Sequence, residues 1–522
     1  MTRRRWQWAI AALPALFLAW FFAYPLIRIL ERSLRDGNGF ADVFGDGGVM
    51  GVIWFTAWQA AVSTLLTLLA GLPVAYVLSR FRFPGRALLR AIVTVPFVTP
   101  TVVAATAFVA LLGDGATSLV AILLAHVFFN IAVVVRTVGG LWEHLDPRLD
   151  EAARTLGATR LGAFRRITLP LLRPAIAAAA AIVFLFTFTS FGVVLILGDL
   201  RWVTIEVEIW RQATGLFNLP LAAALSIIQI ATVGAALFVY SRYQERRSAE
   251  ISLLPGSLTA RAPRTWGEKL LLAGVIAEIV VLLVVPLGTL VARSLTDGID
   301  AYASLAEPSG VLAVSPGRAI ANSLAFGLTA TALALVIGMA AAVTVARGRG
   351  GLSQWFDSLL MLPLGTSAVT IGFGLLISMD RPIDIRASWW IVPLAHTLVA
   401  VPFIVRTAVP VIRSVPPRLR EAAATLGAAP RTVWRRVDAP FVARAAAIGA
   451  GFAFAVSLGE FGATTFLVRP LENQTIPTAI FRLLGQPGSA NFAKAMALAT
   501  ILMLLAAGAV MAIDRLRSAG DF

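Results

Sequence analysis

Long apolar runs broken by short basic segments recur from one end of the chain to the other. A helix needs roughly 20 apolar residues to cross a hydrocarbon core, and such stretches lie near 8–30, 52–79, 89–112, 117–141, 172–197 and 217–241. A polar connector over 242–268 carries Arg242, Arg246, Arg247, Arg261 and Arg264 beside Pro255 and Pro263. Further stretches follow near 269–292, 319–346, 355–378, 388–412, 441–467 and 490–513. The pattern predicts an all-α polytopic membrane protein of about 12 transmembrane helices. The run from Trp8 to Leu30, behind Arg3, Arg4 and Arg5, exceeds the apolar core of about 7–15 residues in a signal peptide. It reads as an uncleaved first span.

Composition agrees with this reading. The 522 residues are 58% hydrophobic and 14% charged, with a mean hydropathy of +0.82, more apolar and less charged than soluble domains. The net charge of +16 does not point to nucleic acid, because the basic residues fall in bursts between spans rather than on one solvated face. Topology accounts for them. With the N-terminus inside, the segments 80–90, 142–173, 242–269, 347–355 and 413–444 and both ends hold about 30 of the 44 basic residues, as the positive-inside rule requires. Both termini are therefore expected in the cytoplasm. The chain has no cysteine, and its three histidines do not make a metal centre by themselves.

The chain also repeats itself. Glu151-Ala152-Ala153-Arg154-Thr155-Leu156-Gly157-Ala158 recurs as Glu421-Ala422-Ala423-Ala424-Thr425-Leu426-Gly427-Ala428. The same register pairs His126 with His396, Arg136 with Arg406 and Phe191-Gly192 with Phe461-Gly462; with a small indel, Thr56–Arg80 matches Ser323–Arg347. The repeats are 1–241 and 269–522, joined by the linker 242–268. Six spans per copy bring both copies into the membrane from the same side, so the repeats are expected to be parallel.

Between the fourth and fifth spans of each copy lies the longest basic loop, 146–170 and 416–440. In the first copy Asp146 can cap a helix with Pro147 at its first position, and Gly157 supplies the stop. A second short helix with Arg160, Arg165 and Arg166 is expected to end at Leu169-Pro170, just before the span. Pro417, Glu421, Gly427, Arg431, Arg435, Arg436 and Pro440 take the same places in the second copy.

Glu-Ala-Ala, then three residues and a glycine, then an apolar residue and Leu-Pro, resembles the signature loop of bacterial ABC-importer permeases. The second copy departs only at Val437 and Ala439, where the first has Ile167 and Leu169. The resemblance implies the type I importer permease fold in a bacterial cytoplasmic (inner) membrane. In that family the loop is a coupling helix seated in a cleft of an ATPase subunit, which is expected here as a homodimer holding ATP and magnesium. Glu151, Ala152, Ala153, Gly157 and Pro170, with Glu421, Ala422, Ala423, Gly427 and Pro440, are then the ATPase-coupling residues. An extracytoplasmic substrate-binding protein and membrane lipid complete the expected partners. The chain's two lysines, Lys269 and Lys494, sit in no Gly-Lys-Ser/Thr phosphate loop, so no catalytic residue, cofactor or metal is expected on this chain.

Within those permeases the chain resembles the fused two-half thiamine permeases and their relatives, the fused ferric-iron permeases. Phe83-Pro84-Gly85-Arg86, Leu124–Asn130 with Arg136, Thr189-Ser190-Phe191-Gly192, Thr204-Ile205-Glu206 and Ser457-Leu458-Gly459-Glu460-Phe461-Gly462 carry this likeness. It implies thiamine, or its phosphates, as substrate, with ferric iron as the alternative. A proton-coupled secondary transporter would need a relay of buried acids, and the spans offer almost none.

Glu460 is the candidate on the substrate path: it either meets a cation or caps the outer end of its span. Its repeat partner is Ser190. Phe191, Phe461 and Phe188 can offer ring faces to a cationic ring. His126 and Asn130, four apart on one helix face, either line the path or bond neighbouring helices. Glu206 and Glu208 are expected in a solvated outer loop, where they can orient a docking protein.

Overall fold

The computed structural model describes residues 2–35, 38–245, 254, 259–296, 298–348, 351–468 and 471–518. Among them the protein is helical throughout, and the one pairing of extended backbone is an isolated bridge between Phe81 and Arg261. Ten helices are long and apolar enough to cross a membrane, or up to twelve if each of two bent pairs counts as one span.

In chain order the elements used below are α1 (Ile10–Leu34), α2 (Gly47–Arg80), α3 (Arg86–Val98), α4 (Thr101–Leu112), α5 (Leu119–His144), α6 (Arg148–Thr155), α7 (Arg160–Phe188), α8 (Gly192–Leu197), α9 (Ile205–Trp210) and α10 (Leu219–Glu245). The second half supplies α11 (Trp266–Ser294), α12 (Pro316–Arg347), α13 (Gly351–Gly365), α14 (Ala368–Ser378), α15 (Ile391–Ser414), α16 (Pro417–Thr425), α17 (Pro430–Gly459), α18 (Gly462–Leu467), α19 (Ile476–Leu484) and α20 (Ser489–Ser518).

The expected spans 89–112 and 355–378 are not straight. The pair α3 and α4 bends by 106° and the pair α13 and α14 by 96°. Pro100 has no N–H to continue α3 and stands in extended backbone at the start of α4. In the second pair Ser367 starts a new helix by accepting from the Val369 N–H at 3.1 Å. Counted as a single crossing, the pair α13 and α14 makes six crossings between the two basic loops, an even number. Counted as a return, it leaves five.

The expected spans 172–197 and 441–467 also shift. Each helix begins earlier and ends sooner, as α7 and α17, and the residues beyond form the separate short helices α8 and α18. The short basic helix of each loop is thus continuous with its span. A single π-helical turn, Phe164–Thr168 or Trp434–Asp438, makes the join. Each π turn ends two residues before Pro170 or Pro440, where proline would leave an α-helix one hydrogen bond short.

The chain forms two compact units, Met1–Gly45 with Ile209–Ile227 and Ser294–Phe522, and Asp46–Glu208 with Ile228–Arg293. Each unit includes the first span of the opposite sequence half. In the first unit α1 packs on α12 and α14, and Gly374 lets Pro25 approach to where a Cβ would lie 3.0 Å away. In the second, α11 packs on α2, α3 and α5. Sequence repetition and packing therefore divide the chain differently.

The central helices α5 and α15 are 61% and 67% buried over their apolar windows, against 28% and 22% for the first spans α1 and α11. Close packing against them depends on glycine at equivalent places. A Cβ at Gly71 of α2 would lie 2.7 Å from Val134 Cβ, and one at Gly338 of α12 would lie 2.7 Å from Ile404 Cβ. Both contacts join the second and fourth spans of a half, at positions the repeat aligns.

Candidate functional site

The two basic loops fold alike for local reasons. Asp146 Oδ1 accepts from the Arg148 N–H at 2.9 Å and starts α6; Pro417 stands at the first turn of α16. Both helices end in a Schellman turn. Gly157 and Gly427 have φ of +89° and +81°, and each donates to the carbonyl three residues back, Arg154 at 3.1 Å or Ala424 at 2.9 Å. The next residues, Ala158 and Ala428, reach back five residues to Ala153 and Ala423 at 3.0 Å each. The glycines have open space around a would-be Cβ, so their identity answers to backbone conformation rather than crowding.

Glu151, Ala152, Glu421 and Ala422 are exposed, and Ala153 and Ala423 are half-buried. The same face holds larger groups that motif reading passes over. Leu156 and Leu426 are 89% and 87% exposed, and Leu149 and Leu419 are 46% exposed each. Leu149, Ala152, Ala153 and Leu156 stand at i, i+3, i+4 and i+7, as do Leu419, Ala422, Ala423 and Leu426, so each helix turns an apolar stripe outward. That spacing is the signal by which sequence alone could have found the leucines.

A second contact fastens each stripe to a span. The Thr168 hydroxyl donates to both oxygens of Asp150 at 2.7 and 2.8 Å. At the equivalent positions Arg420 donates to Asp438 Oδ1 at 2.9 Å from Nε and 2.7 Å from Nη2. Thr168 and Asp438 are both buried at the base of their spans. A load on α6 or α16 therefore reaches α7 or α17 through the turn and through this cross-link.

Deeper in each half a histidine on the central helix joins three segments. His126 Nδ1 meets the Ser63 hydroxyl at 3.0 Å and its Nε2 the Ser190 hydroxyl at 2.8 Å. Asn130 donates to the His126 carbonyl at 2.9 Å, while its buried Oδ1 has no partner among the described residues. His396 Nδ1 lies 2.7 Å from Ser457 Oγ, and its Nε2 lies 2.8 Å from Thr464 Oγ1 and 3.4 Å from Glu460 Oε2.

Glu460 caps α18. Its carboxylate accepts the N–H groups of Ala463 at 2.9 Å and Thr464 at 3.0 Å, and the Thr464 hydroxyl as well. Negative charge at a helix start also complements the helix dipole. One hydrogen-bond order satisfies the group: Ser457 donates to Nδ1, Nε2–H donates to Thr464, and Thr464 donates to Glu460. In this order Nε2 carries a proton and Nδ1 accepts.

The six path candidates thus fall into two buried clusters, each inside its own unit. Ser190, Phe191, His126 and Asn130 form one, and Glu460 and Phe461 the other, all 2–7% exposed. Phe461 packs against Phe481 with ring centres 5.8 Å apart, and Phe188 stacks on Phe184 at 5.7 Å. Glu206 and Glu208 depart from expectation. They are not in a solvated loop but on α9, each 1% exposed, and Gln229 donates to Glu206 Oε1. Their neighbours Ile205, Val207 and Ile209 are buried too, and the alternation of acids with apolar residues hides a helix enclosed on all sides.

Residues 67–249, which include the first loop, match the family described as "Binding-protein-dependent transport system inner membrane component". Over 516 residues the chain is 28% identical to the thiamine transport system permease protein ThiP of Brucella abortus (strain 2308), covering 93% of this chain and 92% of that protein. ThiP of Escherichia coli (strain K12) is 26% identical over 484 residues, 89% of this chain and 88% of its own. The sulfate transport system permease protein CysT of Salmonella typhimurium is 33% identical over 249 residues, 44% of this chain and 90% of its own length. With two exposed loops of one design on a multi-pass helical frame, the chain belongs to the inner-membrane components of binding-protein-dependent transport systems, as a fused ABC permease.

Proposed function

We propose that this permease imports thiamine or its phosphates. It works by alternating access, driven by a separate ATPase dimer that binds ATP and magnesium and seats on α6 and α16. Substrate is delivered by an extracytoplasmic binding protein, and both termini and both loops face the cytoplasm of a bacterium.

One observation carries the substrate reading: the likeness to ThiP runs through both halves and the linker, over 93% of the chain. The likeness to CysT, though higher in identity, spans 44%. It supports sulfate as the second reading. Glu460 and Ser190 enter this proposal as the groups that make the halves differ beside the central histidines. Glu460 acts through His396 and α18, whose start it holds, and Phe191 and Phe461 shape the same helix breaks.

The test is uptake in a thiamine-auxotrophic host that expresses the permease with its ATPase and binding protein. Labelled thiamine, sulfate and ferric ion are supplied in turn. The proposal expects saturable thiamine accumulation that ceases when the ATPase is inactivated and persists when the proton gradient is collapsed with ATP maintained. Accumulation of sulfate or iron with no thiamine uptake would refute the substrate. Loss of uptake with the gradient alone would refute the energy source.

A further inference from the structure

The first unit contains a cavity of about 370 Å³ that the transport reading does not use. Arg28, Glu31, Arg32, Asp380 and Arg386 line it, with Phe217 and Leu219 among its apolar walls. Its size falls at the low end of the range of about 300–1,000 Å³ for small-molecule sites. It stands where the last turns of α1, the end of α14 and the start of α10 meet. Two membrane-length helices and the second arm of a bent pair end or begin there, which places it at the edge of the hydrocarbon layer. Long charged side chains at such an edge ordinarily reach for water or headgroups.

The charges do not all cancel one another. Arg28 Nη1 pairs with Glu31 at 2.6 Å, yet its buried Nε has no acceptor among the described residues. Asp384 takes Arg386 at 2.9 and 2.7 Å and holds its guanidinium pKa above the ordinary value through that hydrogen bond. Asp380 Oδ1, also buried, has no donor among the described residues. The wall therefore mixes three guanidinium groups with two carboxylates. A simple anion suits the first and is repelled by the second. A ligand with a phosphate and a primary ammonium suits both. Phe217, 70% exposed, and Leu219 supply an apolar rim suited to acyl chains.

We propose that this cavity binds the headgroup of a phosphoethanolamine lipid, its phosphate toward Arg28 and Arg32 and its ammonium on Asp380. A docking protein with an acidic side chain would meet Glu31 and Asp380, and a choline headgroup has no N–H to give Asp380.

Native mass spectrometry of the detergent-purified full chain tests this. The chain is equilibrated with equal amounts of phosphatidylethanolamine, phosphatidylcholine and phosphatidylglycerol, and with soluble phosphoethanolamine and inorganic phosphate in separate arms. A charge-assisted hydrogen bond predicts retention of phosphatidylethanolamine over the other two lipids by roughly tenfold. Asp380→Asn is expected to erase that preference while phosphate-bearing lipids still bind, and Arg28→Ala to weaken all three. Equal retention of the three lipids by the unaltered chain would overturn the proposal, with no variant needed. So would a preference that survives Asp380→Asn. Binding of soluble phosphoethanolamine or phosphate at the concentration that suffices for the lipid would overturn the lipid as the source.

Discussion

Leu156 and Leu426 offer the sharpest test of the loops. At 89% and 87% exposed they contribute almost nothing to the permease's own packing, so truncating them should leave its folding unchanged. In a complex that covers the stripe, Leu→Ala removes three carbons from a buried contact. At about 0.8 kcal/mol per methylene-sized group, that is roughly 2.4 kcal/mol per loop, or about 50-fold in affinity at 1.4 kcal/mol per tenfold. The assay titrates the purified ATPase subunit against the permease in nanodiscs, for each single variant and for both together, alongside thermal unfolding of the permease alone. Each single variant should weaken association by one to two orders of magnitude with no change in melting temperature. The double variant should weaken it further, because the two loops belong to one chain and each adds a contact to the proposed ATPase dimer. Unchanged association would show that the stripe is not the docking face. A loss that tracks a falling melting temperature would show that the leucines support the fold.

Two further outcomes follow from other parts of the structure. Gly71→Val in α2, or Gly338→Val in α12, drives a Cβ to 2.7 Å from a partner Cβ; overpacking of this kind costs about 1–3 kcal/mol, and thermal unfolding should show a similar loss for both, whereas Gly51→Val, with open space around it, should show none. Glu151→Lys combined with Glu421→Lys alters only exposed positions, so expression and melting temperature should hold while ATP-dependent uptake falls at least tenfold; uptake at the unaltered level would refute the coupling role of these residues.

Much of this was legible from period and repetition. Spans show themselves because hydrocarbon admits only runs of apolar residues with every backbone group bonded inside the helix, and the loops show themselves because a turn such as Ala153-to-Ala158 needs glycine at one place. What stayed hidden depends on breaks and on partners distant in sequence. Apolar composition continues through Thr99-Pro100 and through Thr366-Ser367, so hydropathy runs straight across bends of 106° and 96°. It likewise crosses the gap between α17 and α18, where Glu460 looks like an isolated acid in a span. Only the folded chain shows its oxygens taken by Ala463 and Thr464. Glu206 and Glu208 mislead for the same reason: acidity signals solvent until a buried donor such as Gln229, 23 residues away, is brought to it.

The repeat, too, means something different once side chains are in place. Equivalent positions keep a task and change its chemistry. The loop-to-span cross-link is a hydroxyl on a carboxylate in one half and a guanidinium on a carboxylate in the other, at residues 150 and 168 and again at 420 and 438. The histidine hub faces Ser190 in one half and Thr464 with Glu460 in the other. Fusion allows this, because two halves in one chain are always paired with each other and never with a copy of themselves. Each half can then diverge at its buried groups while the exposed stripes, Leu149 to Leu156 and Leu419 to Leu426, stay alike. Buried polar groups differ between the halves, as at Ser190 and Glu460 or Thr168 and Asp438, whereas the stripes hold the same residues at all four positions, which is what the proposed pair of like ATPase subunits would need.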